Sequence, residues 1–425
     1  MKKTLILFFA LTFVSLTQAV TIDECYRSAN ENYPLVKQYD LIEKSKDYSF
    51  SNACRNYLPQ FIFSAQATLQ SDVTDFPEEM QSMYQRAGIN MKGLSYDQYK
   101  VMLQMNQIIW DGGTTAAKKR QIEADAEVKR LSIQKEIETI YSRVNQTYFG
   151  ILMLQEQQKQ SLNLKELLLS NLKIIRSKVK NGVAIPSDTE FIQVEVLQLE
   201  QKQVKIKNTI LAYKQMLGLL TGQEISESEV LEKPQPIELQ GENKRTELLL
   251  FDSQIKQQKS LEQSIKAGSY PNISLFAQGF YGKPGLNMFD DMLYDEFSWN
   301  AIGGIRLQWN LSSFYTKKNS LNNIGLSQSS IENNRSLFEW NIQQQETLQR
   351  NEIQKMEDVK THDTEIVNLR TSIRKASESQ YKNGVITINE LLRNINNEND
   401  AILTQQMHDL ELLNNIYNLK TTMNW

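Results

Sequence analysis

The phrase Lys180-Asn181-Gly182-Val183 occurs a second time as Lys382-Asn383-Gly384-Val385, 202 positions later. A second offset, of 212 positions, relates Leu58-Pro59-Gln60 to Tyr270-Pro271-Asn272. Matches that recur at nearly constant offsets indicate that one structural unit is present twice in a chain. We therefore predict an internal tandem repeat, with a ten-residue difference in length between the matched blocks.

The repeat predicts the domain organisation. Residues 1–19 read as a signal peptide, with Lys2-Lys3 before a short apolar run and small residues at the cleavage point. The first structural repeat then covers 20–222, an irregular connector 223–241, and the second structural repeat 242–425. The mature chain is expected to be exported and to contain no membrane-spanning helix.

Four segments alternate between apolar and polar residues. In the first, Phe61, Phe63 and Leu69 alternate with Gln60, Ser64 and other polar residues. A period of two indicates a strand with one apolar and one polar face. The predicted strands cover about 60–70, 99–110, 271–281 and 299–310. The segments 71–98 and 282–296 are predicted to be loops.

Long segments between these strands show helical spacing of apolar residues. Thr21 and Glu24 form a capping-box pattern before a short helix. Between Gly113 and Val179 there is no Pro and a single Gly, which predicts a helix about 100 Å long. A helix of that length needs coiled-coil-like partners. Its counterpart in the second repeat is predicted to run unbroken to Tyr381, and further helices to end near Leu219 and at the chain end.

Four strands with an outward apolar face cannot close a membrane barrel, since single-chain barrels have at least about eight strands. An open sheet edge cannot lie in lipid, so several chains would have to combine; two would supply eight strands and three would supply twelve. Aromatic residues near the strand ends are expected at the membrane interfaces. They are Tyr57, Tyr99, Trp110, Tyr270, Tyr281, Trp299 and Trp309. The alternative is a soluble antiparallel sheet that buries its apolar face.

Several classes of function are disfavoured. A net charge of −3 argues against a nucleic-acid partner. No phosphate-binding Gly-Lys loop is found. His362 and His408 each begin a His-x-x-Glu pattern, but neither has a counterpart in the first repeat, so both are predicted to be helix-surface residues. No enzyme activity, metal or cofactor is expected.

The two cysteines leave an alternative open. Cys25 and Cys54 lie 29 residues apart in segments predicted to be helical. A disulfide would require a tight hairpin near Tyr33-Pro34, and otherwise both are expected to be separate buried thiols.

Taken together, the motifs resemble the TolC-like outer-membrane efflux protein (outer membrane factor) family over essentially the whole mature chain. They are Glu31-Asn32-Tyr33-Pro34-Leu35, Leu58-Pro59-Gln60, Trp110-Asp111-Gly112-Gly113, Lys180–Asp188 and Lys382–Glu390. The resemblance implies a mixed α and β fold: a homotrimer whose twelve-stranded outer-membrane β-barrel continues into a long periplasmic α-helical barrel. It also implies a location in the outer membrane, in contact with lipid, with a periplasmic extension.

The resemblance assigns roles to the two Asn-Gly turns. They would lie at the periplasmic tip and contact an adaptor (membrane fusion) protein through Asn181, Gly182, Val183, Asn383, Gly384 and Val385. Asp188, Glu390 and Arg393 are the gate candidates. Acids near helix N-termini also stabilise the helix dipole, and that role alone would account for Asp188 and Glu390.

The implied function is an exit duct for small molecules, working with an adaptor and an inner-membrane transporter. A type I protein secretion duct is an alternative. A soluble periplasmic coiled-coil structural or adaptor protein is a less favoured one.

Overall fold

The computed structural model describes residues 20–90, 93–239, 241 and 243–425. The predicted signal peptide (1–19) and the predicted first residue of the second repeat, 242, lie outside them. The described helices are α1 (Ile22–Asn32), α2 (Lys37–Cys54), α3 (Glu78–Arg86), α4 (Thr114–Lys180), α5 (Pro186–Thr221), α6 (Thr246–Ala267), α7 (Met288–Tyr294), α8 (Ser313–Lys360), α9 (Asp363–Lys382) and α10 (Ile388–Met423). The described strands are β1 (Gln60–Leu69), β2 (Asp97–Trp110), β3 (Asn272–Lys283) and β4 (Ser298–Gln308).

The chain forms two compact units, and each draws on both halves of the sequence. The sheet unit comprises Leu41–Arg130 and Leu250–Asn333. The helical unit comprises the described residues up to Asp40, together with Leu131–Leu249 and Asn334–Trp425. The boundaries proposed for the tandem repeats stay a prediction.

The sheet unit contains an antiparallel meander in the order β1-β2-β3-β4. Its register aligns Phe63 with Leu103, Leu103 with Gly279, and Gly279 with Ala301. The register shifts between Ile108 and Trp110, so Ile109 lies at a bulge. Within the described residues β1 and β4 each pair on one side only, which leaves an edge on each side of the sheet.

The apolar face of this sheet is exposed. In β2 the residues Tyr99, Val101 and Leu103 are exposed, whereas the intervening Lys100 and Met102 are half-buried. The same inversion occurs in β3, where Leu275 and Tyr281 are exposed and Ser274 and Phe280 are buried. A soluble sheet buries its apolar face. Within one chain, this sheet therefore does not bury its apolar face as the soluble alternative predicts.

The junction between β2 and α4 is built by Asp111. Its carboxylate accepts hydrogen bonds from the backbone amide of Thr115 at 2.6 Å, from that of Gly113 at 3.0 Å and from the Tyr57 hydroxyl at 2.9 Å. Burial opposes ionisation of Asp111, but these bonds outweigh it and hold its pKa below the usual value. Gly112 has φ of 67°, and a Cβ there would lie 2.7 Å from Cβ of Tyr270. The Trp-Asp-Gly-Gly motif therefore caps a long helix and makes the turn.

Both segments predicted to be loops contain a short helix. In the first, Glu78 and Glu79 lie in the first turn of α3, after Pro77. In the second, α7 follows a turn in which the buried Asp291 carboxylate accepts the amide hydrogen of Gly285 at 2.6 Å. Acids in a first turn stabilise the helix dipole, which favours helix even in sequences without a long apolar stripe. The loop prediction was therefore wrong for these segments.

In the helical unit, α4 confirms the prediction of one very long helix, with 67 residues. The predicted capping box of Thr21 and Glu24 is also confirmed. A main core contains Tyr148, Phe149 and Leu419, and a second cluster near the end of α4 contains Leu168 and other aliphatic residues of α4, α5 and α10. These clusters are continuous apolar contacts between helices, as in coiled coils.

The helix predicted to run unbroken to Tyr381 is interrupted. The chain turns at Thr361 and His362, between α8 and α9. The Thr361 hydroxyl donates to the Asp358 carbonyl oxygen at 2.6 Å, which competes with helical hydrogen bonding. The buried Asp363 carboxylate lies 2.9 Å from Nδ1 of His408. His362 is exposed as predicted, but His408 is half-buried in this pair rather than a plain surface residue.

The cysteines are both unpaired. Cys25 is buried in the main core, and burial raises the pKa of its thiol to about 12. Cys54 is exposed, contrary to the expectation of two buried thiols. Among the described residues, no helix is both long enough and apolar enough to traverse a lipid bilayer.

Candidate functional site

The two Asn-Gly turns lie at corresponding ends of helical hairpins. Gly182 has φ of 72° and Gly384 has φ of 73°, a left-handed conformation that glycine adopts without a steric penalty. Each turn closes with the same backbone bond, from the amide of Val183 to the Lys178 carbonyl and from that of Val385 to the Gln380 carbonyl, both 2.9 Å. The side chains of Val183 and Val385 are 73% and 70% exposed. Such exposed valines at a turn are available to a partner.

Lys178 connects the end of α4 to the end of α9, a contact that residue spacing does not indicate. Its ammonium group donates to the carbonyl oxygens of Tyr381 at 3.1 Å and Lys382 at 3.2 Å. It also lies 4.6 Å from the centre of the Tyr381 ring. A cation at a helix C-terminus offsets the partial negative charge of the last carbonyls. The position 202 residues later is Gln380, so the second repeat has no equivalent cation.

The two candidate gate acids occupy different environments, although the repeat predicted matching ones. Thr387 caps α10, and Glu390 completes a capping box with it through bonds of 3.3 Å and 3.2 Å. The corresponding cap residue of α5 is Ile185, which has no side-chain acceptor. Asp188 instead influences Tyr381. The pKa of the Tyr381 phenol is raised mainly by burial and, to a smaller extent, by the negative charge of Asp188. The charge of Asp188 thus reaches the Tyr381 phenol on the second hairpin, whereas Glu390 is bonded within its own helix.

Arg393 is exposed and lines a groove between the beginnings of α5 and α10. The groove has a volume of about 620 Å³, and Glu190 and Glu195 also line it. Neither Asp188 nor Glu390 is among its lining residues. Arg393 thus shares this groove with Glu190 and Glu195, and the gate role of the three candidates stays a prediction.

An ionic cluster joins α9 to α10. The Arg374 guanidinium donates to both carboxylate oxygens of Glu398, at 2.7 Å and 3.3 Å, and to Glu378 at 2.9 Å. Glu398 is 7% exposed, and its hydrogen bonds raise the pKa of Arg374. Bidentate Arg–carboxylate pairs are among the strongest side-chain contacts, so this cluster fixes the hairpin.

The predicted aromatic residues lie at the two ends of the sheet. Tyr99, Tyr281 and Trp299 lie near the end that carries the loops, and the Tyr281 and Trp299 rings are 5.0 Å apart. Phe297, which is not among the seven predicted interfacial aromatic residues, stacks on Tyr281 with ring centres 5.5 Å apart. The other group lies at the end where the helices begin: Tyr57, Trp110, Tyr270 and Trp309. All seven predicted side chains are exposed.

Metal binding has no support within the part of the chain that the structure describes. No group of three or more His, Cys, Asp or Glu side chains there is arranged to hold a metal ion. The His408–Asp363 pair supplies two such groups, which join two helices.

Comparison with known proteins agrees with this architecture. The outer membrane efflux protein family model matches residues 25–223. No curated protein matches the chain. In solved structures, the chain is similar to CusC, with 12% identity, a TM-score of 0.70, and coverage of 96% of this chain and 95% of CusC.

Two further solved structures are similar over most of their length. VceC, an outer membrane protein from Vibrio cholerae, shares 14% identity with a TM-score of 0.65, covering 95% of this chain and 94% of VceC. The Campylobacter jejuni CmeC outer membrane channel shares 14% identity with a TM-score of 0.65, covering 95% of this chain and 85% of CmeC. At such identities the likeness concerns the fold. The outer membrane efflux protein family model therefore matches residues 25–223 of this chain, and the fold is that of solved outer-membrane channels over nearly the whole chain.

Proposed function

We propose that three copies of this chain form the outer-membrane exit duct of a tripartite efflux pump for small molecules. The observation that carries the proposal is the inverted sheet, whose apolar face is exposed between two groups of aromatic residues. This is the pattern of a lipid-facing barrel wall. The polar residues of the central strands, such as Gln104 and Gln278, are half-buried on the other face, which suits an aqueous lumen.

The sheet edges support a closed assembly of several chains. β1 and β4 are the edges of the meander, and an edge in lipid would leave backbone groups without partners. Pairing β4 of one chain with β1 of the next removes every edge. Four strands from each of three chains give a barrel of twelve, within the size range of membrane barrels.

The tip turns support a docking role and a gate. Exposed Val183 and Val385 offer apolar contacts to a periplasmic adaptor, together with Asn181, Gly182, Asn383 and Gly384. Lys178 holds the first hairpin to the second within one chain, so breaking this contact would free the hairpins to separate. The inner-membrane transporter supplies the energy, since this chain carries no nucleotide-binding loop.

The channel is tested by reconstituting the purified full-length protein into planar bilayers. We expect a detergent-solubilised trimer that conducts ions. A monomer that stays soluble without detergent and does not conduct would contradict the proposal and favour the soluble structural or adaptor protein.

The gate is tested in the same bilayers with Lys178→Met. Loss of hydrogen bonds from a charged donor, at about 1.5 kcal/mol, should raise the ratio of open to closed channels about tenfold. Lys180→Met is the matched control, because Lys180 is exposed on the same helix end. An unchanged open fraction in Lys178→Met would overturn the gate.

Selectivity separates the two candidate acids in that assay. Asp188→Asn should reduce the preference for cations more than Glu390→Gln does, because Glu390 is engaged in its capping box. Equal effects would contradict this assignment. Unchanged reversal potentials in the double variant would remove both acids from the gate.

Adaptor docking is tested by placing bulk at the turns. Gly182→Trp together with Gly384→Trp should abolish adaptor pull-down, since both positions face open space. Gly182→Ala with Gly384→Ala bears the same left-handed strain without the bulk, and should retain docking. Retained docking in the Trp variant would exclude the turns as the contact.

A further inference from the structure

A pair of lysines recurs at the helical end of the sheet. Trp110 ends β2 and is followed eight residues later by Lys118-Lys119, and Trp309 after β4 is followed eight residues later by Lys317-Lys318. Both pairs lie in the second turn of the helix that follows, α4 or α8. The same spacing from an interfacial Trp in both halves indicates a shared role beyond helix formation.

In each pair, one lysine lies against an aromatic ring and the other is exposed. Lys119 lies 5.0 Å from the centre of the Phe50 ring. Lys317 lies 5.3 Å from that of Phe314, and its ammonium group bonds the Ser269 hydroxyl at 2.6 Å. Lys118 and Lys318 are exposed. Each pair thus has one fixed cation beside one that is free to extend into solvent.

These lysines belong to a larger basic surface, which we call the basic collar. It consists of Arg55, Lys118, Lys119, Arg120, Lys317 and Lys318. The nearest carboxylate in sequence is that of the exposed Glu123, three residues after Arg120, whereas Asp111 is buried and bonded to Thr115, Gly113 and Tyr57. The six cations of the collar outnumber these acids, so the collar presents excess positive charge next to the exposed aromatic residues.

The opposite end of the sheet carries the opposite charge. The loops there contain eight acidic residues against Arg86 and Lys92. The acids are Asp72, Asp75, Glu78, Glu79, Asp290, Asp291, Asp295 and Glu296. Because the two ends differ in sign, the collar is a local feature and does not reflect a basic chain.

The depth of the collar matches that of lipid headgroups. Helical rise places Lys118 about 6 Å beyond the first residue of α4. The headgroup layer on each side of a bilayer is roughly 5–8 Å thick. If the aromatic residues lie at the hydrocarbon boundary, the lysines lie among the headgroups, where each contributes about 1 kcal/mol of attraction to anionic lipid.

We propose that the basic collar binds the phosphate headgroups of the anionic phospholipid leaflet at the helical end of the barrel. This rests on the proposed membrane barrel, and it adds the headgroup chemistry of the lipid at the helical end of that barrel. A lipid that touches both lysines of one pair gains charge attraction and hydrogen bonds together.

The experiment measures lipid composition around the full-length protein in nanodiscs of phosphatidylcholine with one-fifth phosphatidylglycerol. The lipids that remain bound after partial delipidation are quantified by mass spectrometry. The wild type should hold phosphatidylglycerol at about threefold its bulk fraction. The variant Lys118→Gln, Lys119→Gln, Lys317→Gln, Lys318→Gln should return to the bulk fraction.

Two further variants are matched to this one. Lys→Arg at the same four positions keeps the charge and should retain the enrichment. Lys→Gln at four exposed helical-unit positions changes the net charge equally and should also retain it. These positions are Lys173, Lys202, Lys205 and Lys375.

Several outcomes overturn the proposal. Enrichment that persists in the collar Gln variant, or that falls equally in the control, excludes the collar. If inorganic phosphate abolishes enrichment more than chloride at matched ionic strength, the site is one for free phosphate. Preference for lipopolysaccharide over phosphatidylglycerol would reverse the orientation. If the wild-type protein fails to insert into the bilayer and conduct ions, the proposed channel function is contradicted. That outcome is distinct from a failure of lipid binding at the collar.

Discussion

Leu103→Arg is expected to destabilise the membrane-inserted protein by about 2–4 kcal/mol per chain, because Leu103 lies midway along β2 on the apolar face. Arginine there would place a charge at the centre of the hydrocarbon layer. The measurement is reversible urea unfolding from phospholipid vesicles. In water the same change would alter stability by at most about 0.5 kcal/mol, since Leu103 is already 51% exposed.

Two variants make this test specific for lipid. Leu69→Arg is the same substitution at the loop end of the sheet, where the cost should fall to about 0–1 kcal/mol. Gln104→Arg introduces the same charge on the neighbouring polar face and should be close to neutral. Equal effects at Leu103, Leu69 and Gln104 would mean that the apolar face does not lie in lipid.

Arg374→Ala is expected to destabilise the helical unit by about 3 kcal/mol, the lower end of the range for breaking a buried ion pair. The lower end applies because the Arg374 side chain is 17% exposed. The substitution leaves the Glu398 carboxylate buried without its bidentate partner. The measurement is the midpoint and slope of denaturant unfolding, followed by the helical circular dichroism signal.

The double variant Arg374→Met, Glu398→Leu is the control for the second prediction. Removing both charges together leaves no unpaired carboxylate, so stability should stay within about 1 kcal/mol of the wild type. If the single variant is as stable as the double, the pair contributes no more than an exposed ion pair, and the hairpin is fixed by apolar packing alone.

Sequence patterns predicted the structure best where a single local preference, such as helix capping or strand periodicity, determines the conformation. The capping box at Thr21, the 67-residue α4 and the left-handed Gly182 and Gly384 were all predictable from residue type and spacing. The four strands were also found, because a period of two is a strong local signal. These features depend on neighbours along the chain.

The errors arose where local rules compete. The segments read as loops contain α3 and α7, which are short and have little apolar periodicity. The break at Thr361 interrupts a helical pattern that continues on either side. There, a side-chain bond to the Asp358 carbonyl and the distant His408 partner of Asp363 together favour the turn.

The strands, the long helices, the two turns and the resemblance to an efflux family follow from residue spacing or repetition along the chain. Which residues act together at the tip depends instead on the folded arrangement of the helices. Lys178 is 203 residues from Tyr381, and no periodicity connects a cation to the carbonyls that it caps. The structure also shows that Glu390 caps its own helix, and that the apolar side of the sheet is exposed. Those properties depend on which surfaces the folded chain brings together, and the spacing of residues along the chain does not specify those contacts.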